Sequence, residues 1–277
     1  NNTMTDTLTR IETPDYAAIK TKQQAAWTAG DYSAVGVTLQ IVAENLCEEM
    51  KLHAGQDVLD VAAGNGACSL AAAHRMCNVT STDYVEELLA RGEARAKAEG
   101  LAMTFQKADA EDLPFAKDTY DAVVSTFGAM FAPDQQTVAN ELLRVCKPGG
   151  KVGMANWTPD SFIGRLFKVI GSHVTGPKGL NPPSRWGSND GLGELFAGAA
   201  SVSANRRIFN FQHHSPEQWV ESWRVIYGPL HKAFAQLDAE GQDTFAAALV
   251  ALINEMSLAR DGTMYVPSAS LEVIVTK

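Results

Sequence analysis

The stretch from Val58 to Gly66, with the sequence VLDVAAGNG, carries the residues best suited to bind a nucleotide cofactor. Its apolar residues are typical of a buried parallel strand, and Asp60 places a carboxylate at the end of that strand. Gly64 and Gly66 allow the backbone to turn tightly and to approach a ligand without an intervening Cβ. A helix is predicted from Ala67, and its amino end offers unpaired N–H groups to a carboxylate or a phosphate. The stretch therefore predicts a nucleotide-cofactor loop.

The residues that follow the loop help to separate the classes of cofactor. A dinucleotide fingerprint has a third glycine three positions after the second, and this chain has Ser69 there. Asp83 follows a predicted strand, 78–82, about 20 residues beyond the loop, where both cofactor classes use a carboxylate to accept ribose hydroxyls. Asp109 follows another predicted strand, 103–107, and could accept an adenine amino group. An NAD(P)-dependent oxidoreductase stays open, but it would need a third glycine and a catalytic Tyr/Lys or His arrangement that the sequence does not show.

Five motifs in this order resemble those of the class I S-adenosylmethionine-dependent methyltransferases, specifically the UbiE-like small-molecule branch. The resemblance extends from roughly Trp27 to Trp157 and rests on the stretches Val58–Gly66, Thr82–Tyr84, Ala108–Phe115, Tyr120–Thr126 and Glu141–Gly150. It implies S-adenosyl-L-methionine as the cofactor and S-adenosyl-L-homocysteine as the product. Methyl transfer would be a direct displacement, in which the positioning of the two reactants supplies much of the catalysis. One residue departs from the pattern, because the family usually has glycine where this chain has Ala62, whose methyl group slightly tightens the turn.

The resemblance also implies which residues bind the cofactor. They are Trp27, Tyr32, Gly36, Asp60, Ala62, Gly64, Asn65, Gly66, Asp83, Tyr84, Asp109, Ala110, Ser125, Phe127 and Met130. A structural role is an open alternative for several of them. Asp60 could cap the helix after the loop, Trp27 could pack in the core, and the apolar segment 127–133 could contact the amino-terminal helices instead of the acceptor. Glu111 and Asp112 could be solvated loop charges beside Asp109.

No catalytic residue can be assigned from the sequence. A hydroxyl or phenol acceptor would need a general base, for which the candidates are His173, His214, His231 and Tyr227. His214 follows His213 on a predicted strand, so at most one of the two faces the acceptor. The aromatic residues of the last part of the chain suggest an apolar or aromatic acceptor; they are Trp186, Trp219, Trp223 and Tyr227. A non-methylating sensor, or an enzyme of another reaction type, stays open because binding motifs and turnover are separable.

Charge and composition limit the expected partners. The formal net charge of -9 repels a polyanion at long range, so we expect a small-molecule acceptor and no nucleic acid. The four cysteines form no C-x-x-C pair and are expected to be reduced, which predicts a cytoplasmic protein. No metal is expected, because no His, Cys, Asp and Glu group has ligand spacing. Residues 1–10 lack a signal-peptide core and no apolar run could span a bilayer, so no membrane is expected; a homodimer is one expectation for the oligomeric state.

Strands and helices alternate from Val58 to Trp157, which predicts an α/β fold with a doubly wound, mostly parallel sheet and right-handed crossovers. The resemblance implies seven strands in a Rossmann-like methyltransferase fold. Ligands of such sheets bind outside the carboxyl ends of the strands, where the strand order reverses. We therefore expect Asp60, Asp83 and Asp109 to converge with Ser125 on one crevice.

One domain, 15–277, is expected after a tail, 1–14, that is disordered or a remnant of cloning. Its predicted parts are an amino-terminal helical cover (15–53), a cofactor-binding core (54–157) and a substrate-side elaboration (158–277) with a helical insertion at about 215–260. The cover contains predicted helices at Tyr16–Ala29 and Val37–Met50, separated by the turn-rich segment Gly30–Gly36. The insertion is predicted to be two helices that break near Gly241.

Overall fold

The computed structural model describes residues 13–277, so the predicted tail lies almost wholly outside the described residues. The strands are β1 (Asp57–Asp60), β2 (Asn78–Asp83), β3 (Thr104–Lys107), β4 (Tyr120–Thr126), β5 (Cys146–Trp157), β6 (Ser201–His213) and β7 (Met264–Thr276). The helices are α1 (Tyr16–Ala29), α2 (Tyr32–Gly36), α3 (Gln40–Glu49), α4 (Ala67–His74), α5 (Glu86–Ala98), α6 (Gln135–Val145), α7 (Phe162–His173), α8 (Asn189–Leu195), α9 (Pro216–Ile226), α10 (Gly228–Ala235) and α11 (Ala239–Met256).

The strands form one sheet with the order β3-β2-β1-β4-β5-β7-β6. β1 to β5 pair in parallel, and β7 is antiparallel to both of its neighbours, β5 and β6. The predicted seven-stranded, doubly wound and mostly parallel sheet is confirmed. The strand order reverses between β1 and β4, where Asp60 lies opposite Ser81 on one side and Val124 on the other. The carboxyl ends of β1, β2 and β4 therefore lie side by side at the edge of the sheet where such folds bind ligands.

The two faces of the sheet are covered by two separate apolar clusters. Alternate residues of a strand point to opposite faces, and in β1 Val58 belongs to one cluster and Leu59 to the other. The smaller cluster is formed with α3 and α4, and the larger one includes residues of α6, α7, α9 and α11. Burial on both faces explains why the central strands are almost continuously apolar.

The amino-terminal cover is helical over a longer stretch than predicted. α1 has the predicted bounds and begins after Asp15, whose Oδ1 accepts a hydrogen bond from Ala18 N–H at 3.0 Å. The segment Gly30–Gly36 is not only a turn, because its second part forms α2. A tertiary contact fixes the start of this helix, since the N–H of Asp31 donates to the carbonyl of Ile226 at 2.9 Å. The helix predicted at Val37–Met50 begins with a 3-10 turn and becomes α-helical only at Gln40.

The carboxyl-terminal insertion contains three helices, so the prediction of two was wrong. The first break is at Tyr227, between α9 and α10, where Pro229 occupies the first turn of the new helix. The second break lies at 236–238, and Gly241 is inside the first turn of α11, where its N–H donates to Asp238 Oδ1 at 2.8 Å. The capping carboxylate therefore places the helix start before the glycine. His214 lies just outside β6.

Residues 13–277 contain no helix that is both long and apolar enough to cross a membrane. In the same range, no group of three His, Cys, Asp or Glu side chains could hold a metal ion. All four cysteines are buried and unpaired.

Candidate functional site

A cavity of about 700 Å³ lies at the carboxyl ends of β1, β2 and β4, beneath α1. Most of the predicted cofactor residues line it, namely Trp27, Tyr32, Ala62, Gly64, Asp83, Tyr84, Asp109, Ala110 and Phe127. Other lining residues belong to two stretches already noted in the sequence, the motif Ala108–Phe115 and the apolar segment 127–133; they are Ala108, Glu111, Gly128, Ala129, Phe131, Ala132 and Pro133. The sequence did not indicate Lys20, Gln23, Val85 or Leu88. Residues far apart in the sequence thus converge on one crevice, at the position where the strand order of the sheet reverses.

The other predicted residues do not reach the surface of this cavity; they are Gly36, Asp60, Asn65, Gly66, Ser125 and Met130. Ser125 is buried, and its hydroxyl accepts a hydrogen bond from the N–H of Ala129 at 3.0 Å, which fixes the loop after β4. Met130 is fully buried in the core, and its neighbour Phe131 lines the cavity instead. Gly36 packs against the side chain of Asn65, behind the glycine loop.

Asp60 supports the glycine loop after β1 from below. Its Oδ2 accepts a hydrogen bond from the hydroxyl of Ser69 at 2.7 Å, and the same hydroxyl lies 2.8 Å from the hydroxyl of Ser81. The aspartate therefore ties β1 to the first turn of α4, which is the structural role that the sequence left open. Burial raises the pKa of Asp60 to about 7 against the hydrogen bonds from Ser69, and the charge of Asp83 adds to this rise. Its Oδ1 is buried and has no hydrogen-bond partner among residues 13–277.

The glycine loop contains a strained residue at the position where the sequence departs from the motif of the family that it resembles. Ala62 has φ 54°, in the left-handed region that glycine adopts freely and that disfavours a residue with a Cβ by about 1–2 kcal/mol. The loop approaches the segment after β4 closely, since a Cβ added at Gly128 would lie 2.5 Å from the carbonyl oxygen of Ala62. The residues on both sides of Ala62 are also held, because the N–H of Val61 donates to the carbonyl of Val124 at 2.9 Å and the N–H of Ala63 donates to the carbonyl of Thr82 at 2.8 Å.

Replacing Ala62 with glycine should stabilise the protein. Relief of the left-handed strain, about 1–2 kcal/mol, exceeds the entropic cost of a glycine in the unfolded chain, about 0.4–1 kcal/mol. We expect the free energy of unfolding to rise by about 0.5–1 kcal/mol in denaturant titrations. The matched control is Ala63→Gly, because Ala63 has no positive φ and should lose stability. A loss in both variants would contradict the strain at Ala62.

Asp83 joins the end of β2 to the glycine loop. Its Oδ2 accepts a hydrogen bond from the N–H of Gly64 at 2.8 Å, and its Oδ1 accepts one from the N–H of Val85 at 2.8 Å. Burial raises the pKa of Asp83 to about 6, although these backbone hydrogen bonds and one from Tyr84 oppose the rise. Each carboxylate oxygen has further acceptor capacity, so Asp83 can hold the loop and accept hydroxyl groups of a ligand at the same time.

Asp109 is tied to the helical cover by an ion pair. Lys20, on α1, places its Nζ 2.6 Å from Asp109 Oδ2 and 3.6 Å from Glu111 Oε2. Burial alone would lower the pKa of Lys20, but the hydrogen bond to Asp109 and the two negative charges raise it overall. Glu111 is not a solvated loop charge, because its side chain is only 9% exposed and lines the cavity. One turn further along α1, Gln24 Nε2 donates to the carbonyl of Tyr84 at 2.8 Å. α1 is therefore attached directly to the floor of the cavity.

Comparison with known proteins identifies the family. The family described as "Methyltransferase domain" matches residues 58–150. A demethylmenaquinone methyltransferase from Clavibacter sepedonicus is 31% identical over 169 residues, which cover 56% of this chain and 69% of that protein. The chain belongs to the class I S-adenosylmethionine-dependent methyltransferases. The resemblance inferred from the motifs is thereby confirmed, and S-adenosyl-L-methionine is the cofactor of this methyltransferase.

Two further likenesses extend over most of the methyltransferase. An uncharacterized protein of Mycobacterium tuberculosis is 38% identical over 229 residues, which cover 81% of this chain and 84% of that protein. The crystal structure of the YcgJ protein from Bacillus subtilis has a TM-score of 0.59 and 18% sequence identity, and the match covers 87% of this chain and 99% of that one. At this identity the second likeness shows the fold alone.

Cofactor binding to this methyltransferase should depend on pH through Asp83. A carboxyl group with a raised pKa is partly protonated in the free protein and becomes ionised beside a cationic ligand. Binding therefore releases a proton, so the affinity for the ligand rises as the pH rises through that pKa. With a pKa of about 6, roughly a quarter of the groups are ionised at about pH 5.5. Calorimetry should therefore show S-adenosylmethionine binding about fourfold more weakly there than at about pH 7.5.

The control for this pH dependence is Asp83→Asn, which removes the titrating group. In that variant the affinity should change much less between the same two pH values. An unchanged affinity in the unaltered protein would mean that Asp83 keeps its protonation state on binding.

An aromatic wall, formed by Tyr32, Phe127 and Phe131, closes the cavity on the side of β4. Phe127 directly follows this strand, has φ 52°, and stacks on Trp157 with ring centroids 3.9 Å apart. A left-handed, non-glycine residue persists only where its surroundings hold it, and the stack does so here. Behind the wall lies a second, narrow cavity, which shares Tyr32, Phe127 and Phe131 with the first. The two spaces are thus separated only by side chains.

Of the four aromatic residues that suggested an apolar or aromatic acceptor, only Trp223 and Tyr227 line the second cavity. Trp186 and Trp219 are fully buried and belong to the core. Tyr227 is also the only base candidate that lines this space, but burial and the charge of Tyr32 raise its pKa well above the ordinary value. Its hydroxyl therefore stays protonated near neutral pH.

None of the candidate histidines lines either of these two cavities; they are His173, His214 and His231. His173 has its Nδ1 2.8 Å from the carbonyl of Val169, and its ring centroid lies 5.2 Å from that of Phe245. His173 therefore contributes to the packing of α7. The titratable side chains that do line the larger cavity are Lys20, Tyr32, Asp83, Tyr84, Asp109 and Glu111.

Proposed function

We propose that this methyltransferase transfers the methyl group of S-adenosylmethionine to a small, apolar or aromatic molecule by direct displacement. The observation that supports the acceptor class is the aromatic wall of Tyr32, Phe127 and Phe131, which the acidic cavity shares with an apolar space behind it. When bound, the cofactor supplies a methyl group on a cationic sulfur. The residues of the chain bind and orient the two reactants and exclude water from between them.

We infer that the acidic part of the larger cavity holds the nucleoside. Asp83, at the end of β2, would accept the ribose hydroxyls, and Asp109 would accept the adenine amino group. The buried glycine loop would bind the methionine part through its backbone, and Asp60 would hold that loop in place from beneath. The cavity fits such a ligand because it combines acidic side chains at one end with an aromatic surface at the other. Aromatic faces attract cations and suit a sulfonium.

We also propose that the acceptor is not a nucleic acid and that the enzyme acts in the cytoplasm. A net charge of -9 disfavours approach to a polyanion. Four buried, unpaired cysteines are consistent with a reducing compartment. A homodimer stays a prediction.

The test is transfer of label from methyl-labelled S-adenosylmethionine in a cell extract, with the purified protein added. Label should appear in a low-molecular-weight, solvent-extractable fraction, and the Asp83→Asn variant should transfer much less. Label in nucleic acid or protein would contradict the small-molecule acceptor. Saturable binding of the cofactor in calorimetry without any transfer would support a sensor or an enzyme of another reaction type instead.

A further inference from the structure

An open groove of about 840 Å³ adjoins the cofactor cavity on its outer side. α1, α7 and α10 contribute to its walls, and most of the lining side chains are apolar. It shares Gln23, Trp27 and Phe131 with the cofactor cavity. Phe131 also borders the aromatic space behind the wall. A molecule in the groove would therefore reach the cofactor past two aromatic side chains.

Lys232, on α10, is the one charged side chain among the described residues that line this groove. It is half-buried, and among residues 13–277 it forms no ion pair. Burial lowers the pKa of Lys232, and the nearby charge of Lys22 lowers it further. An ammonium group that is partly removed from water without a counter-charge is unfavourable unless an anion joins it.

Lys232 and the nearby Lys22 form a local positive charge, although the chain as a whole has a net charge of -9. Many other basic side chains of the described residues are paired with carboxylates, as Lys20 is with Asp109 and Arg165 is with Glu255. The pair of lysines beside an apolar groove is thus complementary to an anionic ligand.

We propose that this groove binds the methyl acceptor and that Lys232 binds a carboxylate or another anionic group on that otherwise apolar molecule. The inference rests on the proposed function and adds the substrate class. The anionic group lies at Lys232, and the apolar body lies along Phe167 and Trp27 with its reactive end towards Phe131. An acceptor of this kind is an amphipathic acid with one anionic group.

Two dyes that share an aromatic skeleton test the charge preference. They are the anionic 1-anilinonaphthalene-8-sulfonate and the neutral N-phenyl-1-naphthylamine, each titrated by fluorescence with saturating S-adenosylhomocysteine present. We expect the anionic dye to bind about tenfold more tightly, which corresponds to about 1.4 kcal/mol. Lys232→Gln should remove this difference. Lys97→Gln, a change of an exposed lysine on α5 outside the groove, should leave it unchanged.

A second pair of variants tests whether the dyes occupy the groove. Gly176 lines it, and a Cβ added there meets nothing within 4 Å, so Gly176→Trp introduces a large side chain into the groove from a position where its first carbon has free space. This variant should bind both dyes at least tenfold more weakly. Gly171 on α7 has equally open space but does not line the groove, so Gly171→Trp should bind both dyes normally.

Equal affinity of the two dyes for the unaltered protein, or a charge preference that survives Lys232→Gln, would overturn the proposal. Unchanged binding in Gly176→Trp would do the same, since the dyes would then bind elsewhere. Calorimetry with S-adenosylhomocysteine distinguishes failure of the anion site from failure of the proposed function. Normal cofactor binding without the expected dye preference would contradict the anion site alone, whereas loss of cofactor binding in the unaltered protein would contradict the proposed function. All four variants should keep the cofactor affinity of the unaltered protein, because none of the changed residues lines the cofactor cavity.

Discussion

Replacing Asp83 with asparagine is expected to weaken S-adenosylmethionine binding by about ten- to a hundredfold. Hydrogen bonds to a charged group contribute roughly 1.5–3 kcal/mol, and tenfold in affinity corresponds to about 1.4 kcal/mol. Asp83 is only 5% exposed, so a lost charge there is not replaced by bulk water. Isothermal titration calorimetry with the cofactor measures the effect directly.

The control for this variant is Asp112→Asn, in the loop that follows Asp109. Asp112 is exposed and does not line the cavity, so this change alters the total charge of the protein equally without touching the site. It should leave cofactor affinity within about twofold, as expected for a solvent-screened charge. If Asp83→Asn bound the cofactor normally, Asp83 would serve only to hold Gly64 and Val85, and the proposed register of the nucleoside would be wrong.

Local chemistry made the central part of the fold predictable. The bounds of β4 coincide with one of the five motifs that carry the family resemblance, and Asp83 follows from its spacing after the glycine loop. Parallel strands that alternate with helices have few allowed arrangements, which is why the doubly wound sheet could be predicted. Those same rules place the carboxyl ends of the strands together, and with them most of the predicted cofactor residues.

Contacts between distant segments were not predictable in the same way. Lys20 and Asp109 are 89 positions apart, and no local pattern links a lysine on a helix to a loop carboxylate. Glu111 was for this reason open to interpretation as a solvated charge, although α1 buries it. Met130 lies in the core while Phe131 lies at the cavity surface, because in the 3-10 turn after β4 neighbouring side chains point in different directions. Such a turn has no strong sequence signal.

The same distinction explains the insertion before β7. Its helix breaks are set by a capping aspartate, Asp238, and by a proline in the first turn of α10, whereas Gly241 is tolerated inside a helix that packs against α7 and α9. Packing of an apolar face stabilises a helix more than a single glycine destabilises it. Glycine alone is therefore a weak indicator of a helix boundary here.

Replacing Gly64 with alanine should reduce cofactor affinity by at least tenfold, and a matched glycine separates this effect from backbone strain. Gly64 has φ 58°, and an added Cβ would lie 3.2 Å from the ring of Tyr32, inside the space that the loop presents to the cofactor. Gly55 has φ 85°, but an added Cβ there meets nothing within 4 Å. Both alanine variants should lose about 1–2 kcal/mol of unfolding free energy, because both force a Cβ into the left-handed region.

Only Gly64→Ala should also bind S-adenosylmethionine weakly in calorimetry, since only there does the methyl group enter the cofactor cavity. Equal affinity in the two variants would show that the cofactor does not approach the backbone at Gly64. The glycine would then be needed for the turn alone, and the contribution of the loop to binding would have to come from the amino end of α4. Weak binding in Gly64→Ala with normal binding in Gly55→Ala would instead locate the close approach at this one position, because the two variants share the strain of a Cβ in the left-handed region.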